Sequence, residues 1–194
     1  MKSVLDHANG KGFKSVHRAL VMTIAIGAMI VASNSQVSAQ DVAVGQATAT
    51  VQTILTISAT AALAFGTVYQ GIPKAIAKNA AAAGAFSISG QTLAGVSIFM
   101  QLPEYLATST GDDRMPTAFS TTDATVDSTG NANPTTPGGG GWPNVNPRNL
   151  PTTTVVGGGG TTYIFLGGKI LPSPNQKAGA YTGDIIVTVA YTGS

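Results

Sequence analysis

Few side chains in this sequence could perform chemistry, and the carboxylates come first among them. Glu104 with Asp112 and Asp113 forms the only close acidic group. Paired carboxylates can hydrolyse a glycosidic bond, and carboxylate oxygens can hold calcium. A calcium set drawn from Asp112, Asp113, Asp123 and Asp127 lacks the spacing of an EF-hand loop. We interpret these acids as solvated loop residues and expect no catalytic residue, metal site or cofactor.

Histidine and cysteine, which carry much nucleophilic and metal chemistry, are nearly absent. The 194 residues include no cysteine, and the two histidines are His7 and His17, both near the N-terminus. Beyond them no Ser-His-Asp or Cys-His nucleophilic site can form, and no zinc site with a histidine ligand. Disulfides are excluded as well. These absences favour a non-enzymatic protein.

Glycine runs suggest phosphate binding at first sight, but their context is wrong. Residues 138–141 and 157–160 are all glycine, and Gly167-Gly168 precedes Lys169. None has the Gly-x4-Gly-Lys-Ser/Thr form of a phosphate loop. We interpret the two long runs as loops and predict a hairpin turn at Gly167-Gly168. Trp142 follows the first run; it either stacks on a sugar or partner protein, or pins its loop to the domain.

The N-terminus has the layout of an export signal. Four basic residues come first: Lys2, Lys11, Lys14 and Arg18. An uncharged apolar stretch, 20–32, follows, and Val37-Ser38-Ala39 offers small residues for cleavage. We predict a signal peptide over 1–39, with a membrane helix or a buried helix as the alternative. The apolar stretch is shorter than the roughly 20 residues of a membrane span. We therefore expect export to the periplasm, cell surface or medium, with no permanent anchor after cleavage.

Removal of the leader changes the charge of the chain. Residues 40–194 keep six of the ten basic and seven of the eight acidic residues, a formal charge of −1 against +2 for the whole sequence. Nucleic-acid binding depends on clustered Lys and Arg. The mature chain has no such cluster, and we expect no nucleic-acid partner.

Alternating apolar residues predict strands. Val96, Ile98, Met100 and Leu102 share one face, and the segment Tyr181–Tyr191 alternates over six positions. Further strands are expected in 42–51, at Leu55–Ile57 and in 63–69. The alanine-rich segment 75–85 is read as an irregular connection or short strand, with a short helix as the alternative.

Short strands between Gly/Pro turns indicate an all-β fold, an antiparallel β-sandwich of immunoglobulin-like or pilin-like type. Residues 40–194 would form one domain, with a Gly/Pro/Thr-rich loop region over about 107–162.

Two segments resemble a known family. The first runs from Ala47-Thr-Ala-Thr-Val51 through Leu55-Thr-Ile57 to Leu63-Ala-Phe65-Gly66-Thr-Val68, and the second is Gly179-Ala-Tyr181 to Tyr191. With Phe86-Ser-Ile88-Ser-Gly90 between them, they resemble the domain of unknown function 4402 family of exported bacterial β-sandwich proteins. The family is similar to fimbrial subunits in size, export and strand pattern. The resemblance implies no catalytic residues.

These observations favour a secreted or cell-surface structural protein, a fimbria-like subunit that assembles by strand addition. Its partners would be identical subunits or other surface proteins. The strand-exchange candidate is the mature N-terminus, with alternating Gln40, Val42 and Val44, then Ala47, Ala49 and Val51. The same segment could instead be the first strand of its own domain. The alternative function is a monomeric secreted module that binds a glycan or protein through its loops, with Trp142 as the ligand contact.

Overall fold

The computed structural model describes residues 45–49, 51, 53–136, 138, 143–151 and 154–193. The predicted leader and Trp142 lie outside this part of the chain. So do Gln40, Val42 and Val44, the first members of the proposed exchange segment.

The described residues form eleven strands and no helix. In chain order the strands are β1 (Thr56–Ala61), β2 (Lys74–Ile76), β3 (Gly84–Ser89), β4 (Gly95–Gln101), β5 (Tyr105–Ala107), β6 (Arg114–Ala118), β7 (Ala124–Asp127), β8 (Thr154–Val155), β9 (Thr161–Leu166), β10 (Gly168–Ile170) and β11 (Ile186–Tyr191). No described helix is long and apolar enough to cross a membrane.

The strands form three antiparallel sheets. The first has the order β1-β3-β9-β7, the second β11-β4-β8, and the third β2-β10-β6-β5. Residues of the first two sheets share one hydrophobic core, which is consistent with the predicted β-sandwich. The all-β prediction is thereby confirmed.

The main core follows from the alternation of β3, β4 and β9. Val96, Ile98 and Met100 of β4 are buried, whereas Phe99 between them is 64% exposed. Ile88 of β3 and Ile164 of β9 are fully buried on the facing sheet. Since successive strand residues point to opposite faces, each strand contributes alternate side chains to this core. The prediction that alternate residues from Val96 share one apolar face is confirmed for β4.

The predicted hairpin at Gly167-Gly168 is wrong. β9 and β10 do not pair with each other; β9 lies between β3 and β7, and β10 lies between β2 and β6. The chain passes from one sheet to another at Gly167, where a Cβ would lie 2.5 Å from the carbonyl oxygen of Ile76 and 2.6 Å from the amide nitrogen of Lys78. The glycine is needed for this close backbone approach, not for a turn.

A second prediction, of a strand in 63–69, is also wrong. The segment contains no strand, and Gly66 has a φ of +62°, a conformation that favours glycine. Phe65 is buried with Met115 and Ile170 in a small second core. Leu63 contacts both cores and links them.

The predicted loop region, 107–162, also contains β6, β7 and β8. The alanine-rich segment contains β2, turns, and the start of β3. Its interpretation as an irregular connection with a short strand is confirmed, and the helical alternative is wrong.

Candidate functional site

One margin of the sandwich is covered by the segment that follows the first glycine run. Val145 pairs with Ala124 of β7 through two backbone hydrogen bonds of 3.0 and 2.9 Å. Leu150 and Val156 of the same stretch enter the main core. We call this side, at the outer edge of β7, the covered margin. This Gly/Pro-rich segment therefore contributes both an edge pairing and core side chains to the sandwich.

Lys78 holds the covering segment at one point. Its Nζ donates to the carbonyl oxygens of Thr122, at 2.9 Å, and Pro143, at 3.1 Å, and to Oδ1 of Asn144, at 2.5 Å. Burial lowers the pKa of Lys78, and the negative charge of Asp123 opposes that shift. The Lys78 side chain therefore links its own segment to Thr122 and to the covering segment at Pro143 and Asn144.

The opposite side is different. β1 ends the first sheet, β11 ends the second, and the two strands lie beside each other. No described strand pairs with the outer edge of either. We call this pair of edges the open margin. An edge strand presents unpaired N–H and C=O groups and can pair with another chain.

Side chains at the open margin are incompletely buried. Ile57 of β1 and Val187 and Val189 of β11 point toward the main core but remain half-buried. Val96 and Ile164, on interior strands, are fully buried. The inward side chains of this margin are therefore less closely packed than those of the interior strands.

One end of the open margin is closed by Tyr191, the last residue of β11. Its hydroxyl donates to the carbonyl oxygen of Thr53, just before β1, at 2.8 Å, and accepts from the amide of Gln91 at 2.7 Å. A Cβ at Gly90 would lie 2.7 Å from this hydroxyl and 2.9 Å from Leu55. These contacts fix where the chain enters β1.

The other end of the open margin leads to a cavity of about 870 Å³. Residues 62–70, which follow β1, form one wall, and residues 176–183 with Ile185, which precede β11, form another. Apolar side chains line much of the interior: Leu63, Phe65, Val68, Leu106, Met115, Phe119 and Ile170. The cavity is thus an apolar continuation of the open margin.

The described part of the proposed exchange segment forms no strand, so the strand expected in 42–51 is wrong at these residues. Residues 45–49 and 51, which include Ala47 and Ala49, are exposed and belong to no strand. Val51 is 91% exposed, and Ile54 is 85% exposed. Burial of these two apolar side chains against another surface would lower the free energy of the protein.

The acidic candidates do not form a site among the described residues. Glu104 and Asp112 are exposed, and Asp113 makes an ion pair of 3.7 Å with Lys177. Asp123 accepts a 2.7 Å hydrogen bond from the amide of Ser120. Within the described chain, no three acidic or histidine side chains are grouped for a metal ion.

Asp127 is the one acid of this set that is buried, with 5% exposure. Its Oδ1 accepts from the amide of Thr129 at 2.7 Å, and its Oδ2 has no hydrogen-bond partner among the residues that the structure describes. A single carboxylate with no second acid beside it gives no basis for a calcium site.

The sequence did not predict the open margin, the cavity or the Tyr191 contacts. Alternation placed Tyr191 on the inward face, but its partner Thr53 lies 138 residues earlier. The cavity is lined by three stretches that are distant in sequence, within 62–70, 103–119 and 170–185.

In comparisons with known proteins, no family model, curated protein or solved structure matches this chain. The resemblance to the domain of unknown function 4402 family stays a prediction.

Proposed function

We propose that this protein is a non-enzymatic secreted or cell-surface subunit that assembles by strand addition. In this proposal a signal peptide over 1–39 directs export, and the fold is of the pilin-like type. The open margin is the observation that carries the proposal: β1 and β11 are neighbours, neither has a described strand at its outer edge, and their core side chains are half-buried. A strand of a second copy would pair with an exposed edge and complete the core.

The donor in this proposal is residues 40–51 of another copy. Ala47, Ala49 and Val51 alternate with Thr48 and Thr50, so that an extended segment presents one apolar face. The described residues of the segment are exposed and form no strand. Main-chain hydrogen bonds, each worth about 1 kcal/mol net, would supply affinity, and the alternating side chains would set the register.

Electron microscopy of the purified mature protein tests assembly. We expect filaments or ladders from residues 40–194 and only monomers from a variant that lacks residues 40–51. Ala47→Asp with Ala49→Asp should also abolish filaments, since a charge cannot be buried unpaired in the core. The matched control, Thr48→Asp with Thr50→Asp, alters the opposite face and should assemble. A mature protein that remains monomeric at high concentration contradicts the proposal.

The second candidate is a monomeric binding module. The cavity of about 870 Å³ favours it, because ligand sites are concave and mostly apolar. Its lining suits an apolar ligand better than the glycan first considered for Trp142. Binding of an apolar dye tests this function. Dye binding by a monomer, lost when Leu106→Trp narrows the cavity, would favour this function over assembly.

A further inference from the structure

The cavity at the end of the open margin resembles an unfinished core. Its walls carry Phe65, Met115 and Ile170, the small second core, together with half-buried Val68 and Leu106. Protein interiors are close-packed, and an apolar space of about 870 Å³ open to solvent leaves part of this wall without packing neighbours. An apolar occupant would therefore be stabilised there.

The length of residues 40–51 indicates that this segment could reach the cavity. β1 and β11 are six residues each, so the open margin extends for about 20 Å at roughly 3.3 Å per residue. Residues 40–51 are twelve residues and span about 40 Å when extended. About half of the segment must lie beyond the strands. One end is occupied by the Tyr191 contacts with Thr53, and the other end opens into the cavity.

The sequence of residues 40–51 also falls into two parts, as the two lengths require. Val42 and Val44 alternate in one phase, while Ala47, Ala49 and Val51 alternate in the other, and the phase changes at Gly45-Gln46. A change of phase turns the apolar side chains to the other face of a strand. The small residues suit the margin, where Ile57, Val187 and Val189 already fill part of the core. The larger valines suit the cavity.

We infer that the cavity receives Val42 and Val44 of a second copy while Ala47–Val51 of the same segment lies along the open margin. This inference rests on the proposed strand addition. It also sets the direction of the incoming strand. Val42 lies at the cavity end and Val51 at the Tyr191 end, so the segment runs antiparallel to β1 and parallel to β11. Antiparallel pairing with β1 is the slightly more stable of the two geometries.

Binding of a synthetic peptide of residues 40–51 to a protein lacking those residues tests this arrangement. Replacing Val42 and Val44 by alanine in the peptide should weaken binding by roughly 10-fold per valine. The substitution Leu106→Trp, at a half-buried position of the cavity wall, should weaken binding of the unmodified peptide to a similar extent. In that variant the alanine peptide should bind no worse than the unmodified one. Thr188→Trp, on the outer face of β11, is the control.

The outcomes separate the two proposals. Equal binding of the unmodified peptide to Leu106→Trp and to the parent overturns the cavity assignment and leaves strand addition intact. No binding of the unmodified peptide to the parent overturns both.

Cysteine cross-linking checks the direction independently, since the chain has no cysteine of its own. A peptide with Val42→Cys should form a disulfide with Val68→Cys in the cavity wall, and a peptide with Val51→Cys should not. The reverse result overturns the proposed direction.

Discussion

At the scale of single residues, Tyr191 shows how one side chain positions an entire segment. Its hydroxyl joins Thr53, before β1, to Gln91, in the turn between β3 and β4. The end of the last strand thereby holds the point where the N-terminal segment enters the domain. A chain that leaves at this fixed point can extend toward another molecule.

Tyr191→Phe removes these two hydrogen bonds and keeps the ring. We expect a loss of about 1 kcal/mol in the free energy of unfolding, since the hydroxyl is partly accessible and water can replace it. Urea unfolding would measure this loss as a lower midpoint. Tyr105→Phe is the matched control, because the Tyr105 hydroxyl has no hydrogen-bond partner among the described residues and its ring lies 4.3 Å from the Arg114 guanidinium carbon. Equal midpoints for both variants would contradict this role of Tyr191.

At the scale of elements, the passage from β9 to β10 connects the sandwich to the third sheet. Gly167 lies against the backbone of Ile76 and Lys78, and Gly168 lies against the ring of Phe119. Through this passage one stretch of chain contributes Ile164 to the main core and Ile170 to the second core. The cavity wall depends on the same connection.

Gly167→Ala should destabilise the protein by about 1–3 kcal/mol, since its Cβ would meet backbone atoms that cannot move independently. Thermal unfolding would register this as a lower midpoint. Gly179→Ala is the control: the nearest atom to its Cβ would be Cγ2 of Thr108, at 3.8 Å. A Gly167→Ala protein as stable as Gly179→Ala would show that the close approach does not require glycine.

Alternation predicted those strands whose neighbours bury one face. Val96, Ile98 and Met100 are an example: the period of two is visible in the sequence and corresponds to burial in the structure. β11 follows the same rule with half-buried inward side chains, but it begins at Ile186, so the strand expected from Tyr181 is wrong over its first half. Local patterns cannot predict contacts between distant segments. For that reason the strand expected in 63–69 and the hairpin expected at Gly167-Gly168 were wrong.

At the scale of the whole molecule, the two margins of the sandwich differ. The covered margin uses Val145, Leu150 and Val156 to complete the core, whereas at the open margin the outer edges of β1 and β11 have no described partner strand. The sequence predicted the all-β class but not this asymmetry. It depends on which strands become neighbours, and those strands are far apart in sequence. The asymmetry is the basis for proposing a subunit that another copy completes.

Hydrogen–deuterium exchange tests the central claim most directly. The protein lacking residues 40–51 would be measured with and without the peptide of residues 40–51. Strand addition predicts slower exchange at the amides of β1 and β11, because the added strand provides new hydrogen-bond partners and excludes water. Exchange in β7, at the covered margin, should be unchanged. Unaltered exchange in β1 and β11 at saturating peptide, or protection confined to β7 and β8, would contradict assembly through the open margin.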